Sequence, residues 1–153
     1  MRRYWALVIV TFVGCSSNDV QPENEFDAAL TLWQERAPLH YSYTYQKGCF
    51  CIIDVTRKVR LEVDRYDTVV SGTYLDSGEA ISPEILSTYP TIAALFGEIA
   101  AAQAANYFRV EAEYDPEYGF PSLIYLDQEE MIVDEEVTHW ASDLTPLPSP
   151  YSR

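Results

Sequence analysis

Apolar and polar residues alternate in three separate segments of this chain, and that alternation constrains its fold more than any other feature. The segments are 41–46, 58–64 and 108–115. Successive side chains of a β-strand point to opposite faces, so each segment predicts a strand whose two faces differ. Short turns such as Lys47-Gly48 favour antiparallel pairing between neighbouring strands.

Two amphipathic helices are expected beside this sheet. In residues 25–37 the apolar side chains fall at i, i+3, i+4 and i+7, and Pro38 ends the segment. A second stripe follows Thr91, a residue that can cap a helix, and consists of Ile92, Leu95, Phe96 and Ile99. The predicted fold class is therefore α+β, with two layers in which both helices cover one face of an antiparallel sheet.

The remaining segments complete a single domain over residues 25–145. Further strands are predicted at 49–55, 68–74 and 122–127, with a loop over 77–90. Residues 135–144 fit either one more short strand or an irregular segment. Three prolines within residues 146–153 predict an extended tail.

Composition excludes two classes of protein. The 153 residues include ten Lys and Arg against 24 Asp and Glu, which gives a net charge of −14. Phosphate binding needs clustered cations, so we expect no nucleic-acid partner. No run approaches the roughly 20 apolar residues that a membrane-spanning helix requires.

The first fourteen residues are typical of a secretory signal peptide. Arg2 and Arg3 precede an apolar run that ends in Val13-Gly14. Val13-Gly14-Cys15 resembles a bacterial lipobox, although Phe12 stands where leucine is usual. The resemblance implies that Cys15 becomes the lipid-bearing first residue; the alternatives are an uncleaved helix or an ordinary signal cut elsewhere.

An anchored chain would contact a membrane through acyl groups on Cys15. Residues 15–24 are polar and without periodicity, which predicts a flexible tether. Ser16 after a lipidated cysteine is compatible with transfer to an outer membrane. We therefore expect a cell-envelope location, at an outer membrane facing the periplasm or the exterior.

Cys49 and Cys51 form the first candidate site. On a strand both thiols would point to one face, about 6.6 Å apart at the α-carbons, near the upper limit for a disulfide. An oxidising compartment favours a disulfide, and a bulge would bring the residues closer. The alternatives are two core thiols, or a metal or redox site.

The C-terminal third is strongly acidic. Between Val110 and Ser152 there are eleven Asp and Glu and no Lys or Arg. Asp127, Asp134 and Glu136 are candidate Ca²⁺ ligands if the strand end and the loop converge, but the segment lacks the spacing of a calcium loop. A solvated acidic face is the favoured interpretation.

The turn before the predicted strand 122–127 offers a candidate binding loop of Tyr118, Gly119, Phe120 and Pro121. Aromatic side chains on an exposed loop can anchor a partner. The alternative is a hairpin connection in which Gly119 adopts positive φ and Tyr118 folds back on the core. The alternative is favoured.

His40 and His139 are the only histidines, and no catalytic residue is predicted. The chain contains no hydrolase elbow, zinc-protease motif, phosphate loop or dinucleotide fingerprint. We therefore expect no cofactor, and the sequence favours a non-enzymatic protein.

The order of several motifs resembles an uncharacterised bacterial family of secreted and lipid-anchored proteins, a domain of unknown function. The resemblance spans residues 26–144. The motifs are Trp33, Tyr41-Ser42-Tyr43-Thr44-Tyr45, Cys49-Phe50-Cys51, Tyr89-Pro90-Thr91-Ile92, Tyr114 through Pro121, Ile124-Tyr125-Leu126-Asp127 and Asp134-Glu135-Glu136. One departure is Asp64-Arg65-Tyr66-Asp67, where an Asn-Gly or Asp-Gly turn is expected.

Three functional hypotheses follow from these observations. The first is a lipid-anchored, non-enzymatic module that binds an envelope protein or ligand. The second is a small envelope enzyme that uses Cys49 and Cys51 or His139. The third is a structural domain stabilised by Ca²⁺.

Overall fold

A computed structural model describes residues 22–148, with side chains from residue 25. The predicted signal peptide, Cys15 and most of the tether lie outside the described residues, as does the end of the tail. The elements are α1 (Pro22–Arg36), β1 (Tyr41–Gly48), α2 (Ile53–Thr56), β2 (Val59–Val63), β3 (Val69–Tyr74), α3 (Pro83–Leu86), α4 (Ile92–Ala104), β4 (Arg109–Tyr114), β5 (Pro121–Asp127) and β6 (Val137–Pro146). None of the helices described is long and apolar enough to cross a membrane.

The six strands form one antiparallel sheet in the order β3-β2-β1-β6-β5-β4. Each half of the chain contributes three consecutive strands, and the halves meet where β1 pairs with β6. This arrangement confirms the predicted α+β class with an antiparallel sheet. It also places the central strand β1 between partners from both halves.

The core lies against the tyrosine face of β1. Tyr41, Tyr43 and Tyr45 are all buried. The ring of Trp33 in α1 meets Tyr41 edge-on at a centroid distance of 5.5 Å, and the backbone N–H of Ile92 at the start of α4 donates to the Tyr41 hydroxyl. Residues of both long helices thus contact this face, while the covering of one side of the sheet by the two helices stays a prediction.

The segment after β1 differs from the predicted strand over residues 49–55. The chain turns at Phe50, where the backbone N–H of Cys51 donates to the carbonyl of Cys49, and α2 follows. The Gln46 side chain donates to the carbonyl of Thr56 and ties α2 to β1. The strand predicted from the alternation of apolar residues is therefore wrong, because the tight turn between Cys49 and Cys51 ends the extended chain here.

Three further element bounds differ from expectation. The loop predicted over 77–90 contains the short helix α3, which has Pro83 at its first turn, where proline is tolerated. The helix α1 begins at Pro22, within the predicted tether. The ambiguous segment 135–144 is a ten-residue strand that continues to Pro146.

The turn between β2 and β3 forms without the glycine that the sequence comparison leads us to expect. Asp67 adopts a φ of 55°, a left-handed conformation that aspartate tolerates better than most residues. The Asp64 side chain accepts hydrogen bonds from the backbone N–H groups of Tyr66 and Thr68. The Asp67 carboxylate accepts from the hydroxyl of Thr91, which also caps α4 by accepting from the N–H of Ala94.

Candidate functional site

A cavity of about 500 Å³ opens beside the C-terminal end of β1. The disulfide between Cys49 and Cys51 follows β1 at this end. The strands β1 and β6 contribute its floor, α4 contributes one wall, and the segments around α2 and α3 contribute the rest. The polar residues that line it are Tyr45, Lys47, Asp54, Thr88, Tyr89, Glu98 and His139. Such a volume is typical of a site for a small molecule.

His139 lies at the floor of the cavity. The antiparallel register pairs it with Lys47, and its side chain is only 2% exposed. The Nδ1 atom is 2.9 Å from the hydroxyl oxygen of Tyr45, within hydrogen-bond distance. The Nε2 atom is 2.9 Å from Oε2 of Glu98, but the geometry is not that of an aligned hydrogen bond. Among the described residues, no aligned hydrogen-bond partner reaches this buried nitrogen.

Glu98 supplies the negative charge beside this histidine. Burial alone would raise the pKa of Glu98, but the contact with His139 and the charge of Lys47 outweigh burial, and the pKa is lowered from its ordinary value. The lowered pKa keeps the Glu98 carboxylate ionised at neutral pH, and 42% of the side chain is exposed, so the charge is accessible.

The two tyrosines of the cavity wall are held in their neutral form. Burial raises the pKa of Tyr89 to about 12, with a further contribution from its hydrogen bond to Tyr74. Burial also raises the pKa of Tyr45, and the nearby Glu98 charge adds to this effect. Their rings meet edge-on at 6.2 Å and form a polarisable wall.

Apolar side chains surround the opening. Ile52 is 73% exposed, and Val55 and Ile85 are more than one-third exposed. Phe50 and Ile53 are exposed just outside the cavity. Exposed apolar side chains grouped at the rim of a cavity are typical of an interaction site rather than of an inert surface.

The structure joins Cys49 and Cys51 in a disulfide, with α-carbons 5.2 Å apart. The tight turn at Phe50 brings the residues closer than an extended strand would. Of the alternatives left open by the sequence, the structure has the disulfide. It closes the segment that leads directly into Ile52 and α2, and so it constrains one wall of the cavity.

The candidate binding loop is a packed connection in the structure. Phe120 and Pro121 are buried, and Tyr118 packs against the core, so these side chains are not exposed anchors. Gly119 has a φ of +81°, as the hairpin interpretation requires. A second depression of about 440 Å³ between this loop and α1 is open and lined without histidine or cysteine.

The acidic segment does not form the calcium site considered above. Within residues 22–148, no group of three or more His, Cys, Asp or Glu side chains is arranged to hold a metal ion. Asp127, Asp134 and Glu136 are therefore not brought together as ligands in the part of the chain that the structure describes, and Asp134 is exposed in the turn between β5 and β6. His40 lies at the start of β1, and its carbonyl accepts a hydrogen bond from Leu147.

Sequence reasoning missed Tyr45 and Glu98 as site residues and gave His139 no partner. Glu98 is the only acidic residue of α4, placed beside its apolar stripe, and that isolation is the signal that could have marked it. The three side chains form a line from a phenol through an imidazole to a carboxylate. Such a line can bind a polar head group or relay a proton.

The fold and the cavity can now be compared with known proteins. The sequence matches a described family over residues 25–146, which is nearly all of the part that the structure describes. The chain belongs to the family of unknown function DUF6174. No curated protein and no solved structure matches the chain. Membership of DUF6174 confirms the resemblance to an uncharacterised domain family, while a bacterial and secreted origin stays a prediction.

Proposed function

We propose that this DUF6174 protein is a lipid-anchored binding module of the cell envelope that takes a small, largely apolar molecule into the cavity. One observation carries the proposal: apolar side chains surround a cavity of about 500 Å³ whose floor presents a few converging polar groups. That combination is the usual composition of a small-molecule site.

Two sequence features support the envelope setting. The first fourteen residues fit a signal peptide, and Cys15 fits a lipid attachment site. A disulfide between Cys49 and Cys51 is consistent with an oxidising compartment. The proposed ligand is therefore a molecule met outside the cytoplasm.

A small histidine-dependent enzyme is the second candidate function. The line of Tyr45, His139 and Glu98 favours it, because a histidine between two hydrogen-bonding groups can act as a general base. The known neighbours of His139 are a phenol with a raised pKa and a carboxylate, rather than a serine or a thiol. We therefore rank binding ahead of catalysis.

The binding proposal is tested with the neutral fluorescent dye N-phenyl-1-naphthylamine. We expect saturable, one-to-one binding to the native protein. Val55→Trp, which fills the cavity, should weaken dye binding at least tenfold. The matched control Val70→Trp changes an exposed valine of β3 outside the cavity and should bind like the native protein. No saturable binding, or equal binding by all three proteins, would overturn the proposal.

The anchor is tested separately by labelling cells with radioactive palmitate. The native chain should incorporate label, and Cys15→Ser should not. Label that persists in Cys15→Ser would show that lipid is attached elsewhere or that the anchor assignment is wrong.

A further inference from the structure

We propose that the cavity selects a single-chain amphiphile whose head is a protonated amine, with the ammonium beside Glu98 and His139 and the chain against the apolar rim. This inference rests on the proposed binding function and names the chemical class of its ligand. Four observations about the cavity support it.

The first observation is the charge of the lining. Two carboxylates, Glu98 and Asp54, line the cavity against one ammonium, Lys47. The whole chain carries a net charge of −14. Both the local and the overall fields therefore attract a cation and repel a carboxylate or a phosphate.

The second observation is the accessible oxygen surface of Glu98. Its contact with His139 uses Oε2, and the side chain remains 42% exposed. An ammonium has three N–H donors and no acceptor, so it complements a carboxylate that has room for further hydrogen bonds.

The third observation is the buried nitrogen at the floor. The Nε2 atom of His139 lies in a side chain 98% buried and has no aligned partner among the residues described. Protein atoms cover Nε2 almost completely, so the group that a ligand head reaches at the floor is the Glu98 carboxylate beside it. Nε2 lies 2.9 Å from Glu98 Oε2, so the imidazole positions that carboxylate at the floor of the cavity.

The fourth observation is the wall around the head group. The rings of Tyr45 and Tyr89 line the same cavity, and aromatic faces attract cations. Ile52, Val55 and Ile85 then offer apolar surface to a hydrocarbon chain. The cavity volume lies within the usual range for small ligands, which favours one chain over a two-chain lipid.

The experiment compares three eight-carbon compounds that differ only in their heads: octylamine, octan-1-ol and octanoate. Each displaces N-phenyl-1-naphthylamine from the native protein at pH 7, and the dissociation constants are derived from the displacement curves. We expect octylamine to bind at least tenfold more tightly than octan-1-ol, and octanoate to bind most weakly.

Two variants change the advantage of octylamine over octan-1-ol in opposite directions. Glu98→Gln keeps the shape but removes the charge, so the advantage of octylamine over octan-1-ol should fall to twofold or less. Lys47→Met removes the competing cation and should increase that advantage at least threefold. Glu113→Gln, at an exposed site on β4, removes the same charge outside the cavity and should leave that advantage unchanged.

The outcomes separate the inference from the proposed function. If the dye and all three compounds fail to bind, the binding function itself is wrong. If the compounds bind with equal affinity, or octanoate binds best, the cavity binds apolar molecules and the amine inference is overturned. Should Glu98→Gln fail to fold, as judged by circular dichroism, the Lys47→Met result alone decides, and an unchanged advantage of octylamine over octan-1-ol there contradicts the inference.

Discussion

The two faces of β1 are both buried, but by different means. On one face the rings of Tyr41, Tyr43 and Tyr45 follow one another at centroid distances of 6.0 and 6.4 Å. On the other face Ser42 and Thr44 are buried although both are polar. We call these the aromatic face and the hydroxyl face.

A single arginine covers the hydroxyl face. The guanidinium of Arg60 donates to the hydroxyls of Ser42 and Thr44 at 2.7 and 3.3 Å. It also donates at 2.8 Å to the carbonyl of Asp143, in β6 opposite the β-bulge between Ser42 and Thr44. Polar groups that would otherwise be buried without partners are thereby satisfied.

The difference teaches which face can carry a ligand site. On the hydroxyl face the guanidinium of Arg60 and the hydroxyls form hydrogen bonds with each other. Together with the bond to the carbonyl of Asp143, they hold the irregular register between β1 and β6. The aromatic face buries far more apolar area and ends in Tyr45, where the cavity begins. We therefore expect stability to depend more on the aromatic face than on the hydroxyl face.

The largest expected effect is at Tyr43. Its ring is fully buried, so Tyr43→Ala should lower the free energy of unfolding by about 3–5 kcal/mol, measured by urea denaturation. Tyr43→Phe keeps the ring and removes only the hydroxyl that donates to the carbonyl of Pro90, which should cost about 1 kcal/mol. Equal losses in the two variants would contradict the dominance of ring packing.

The next effect concerns the contact that holds α1 over the aromatic face. A Cβ at Gly119 would lie 2.4 Å from the carbonyl oxygen of Ala29 in α1, and the φ of this glycine is positive. Gly119→Ala should therefore cost about 2–4 kcal/mol. Gly78→Ala meets the same backbone penalty in open space and should cost about 1–2 kcal/mol. Thermal unfolding of both variants gives the loss of stability in each, and the difference between the losses is the cost of the steric clash with Ala29. Equal losses would show that this clash contributes nothing.

The hydroxyl face should be less sensitive. Arg60→Met keeps much of the side-chain length but leaves the carbonyl of Asp143 and three hydroxyls without their donor, so we expect a loss of about 2 kcal/mol. Combining it with Thr44→Val in a double-mutant cycle should show coupling, because both changes act on one hydrogen-bond network. A loss larger than that of Tyr43→Ala would reverse the comparison of the two faces.

The smallest effect is on pH dependence. The folded pKa of Glu98 is below its ordinary value of 4.5, so its ionised form stabilises the native state above that pH. This contribution is lost as the pH falls through the folded pKa. Glu98→Gln should therefore flatten the acid limb of the stability curve, by less than about 1 kcal/mol because the group is partly exposed.

Asp143 offers the matched case on the hydroxyl face. Its pKa is lowered by hydrogen bonds from Ser142 and Thr44, with Arg60 and Lys58 adding favourable charge. Asp143→Asn keeps a residue that tolerates the positive φ of this position. Urea denaturation between pH 3 and pH 6 should show that the free energy of unfolding falls less steeply with acid in Glu98→Gln and in Asp143→Asn than in the native protein. An equal slope in all three proteins would contradict the lowered pKa of both carboxylates.

Much of this fold follows from local patterns. Period-two alternation located β1, β2 and β4, and the apolar stripe after Thr91 located α4 with its cap. These predictions succeed because alternating burial and capping are decided by neighbours in sequence. The errors lie where tertiary contacts decide, as at residues 49–55, where a disulfide and a side-chain tie replace a strand.

The candidate site was harder to predict because its parts come from distant elements. His139 meets Tyr45 only through the pairing of β1 with β6, a contact between residues 94 apart in sequence. Glu98 arrives from α4, on the flank of its buried stripe. No spacing rule joins three such residues, so the sequence predicted a histidine without its partners.

The position of β6 has a consequence for how the polypeptide matures. The strand β6 lies in the middle of the sheet, between β1 and β5. A nascent chain that still lacks residues 137–146 therefore leaves the edges of β1 and β5 that face β6 unpaired. Residues 137–146 must therefore be synthesised before the six strands can fold cooperatively, and long-range closure of this kind is slow. Removal of residues 137–146 should thus be far more damaging than the loss of ten residues implies.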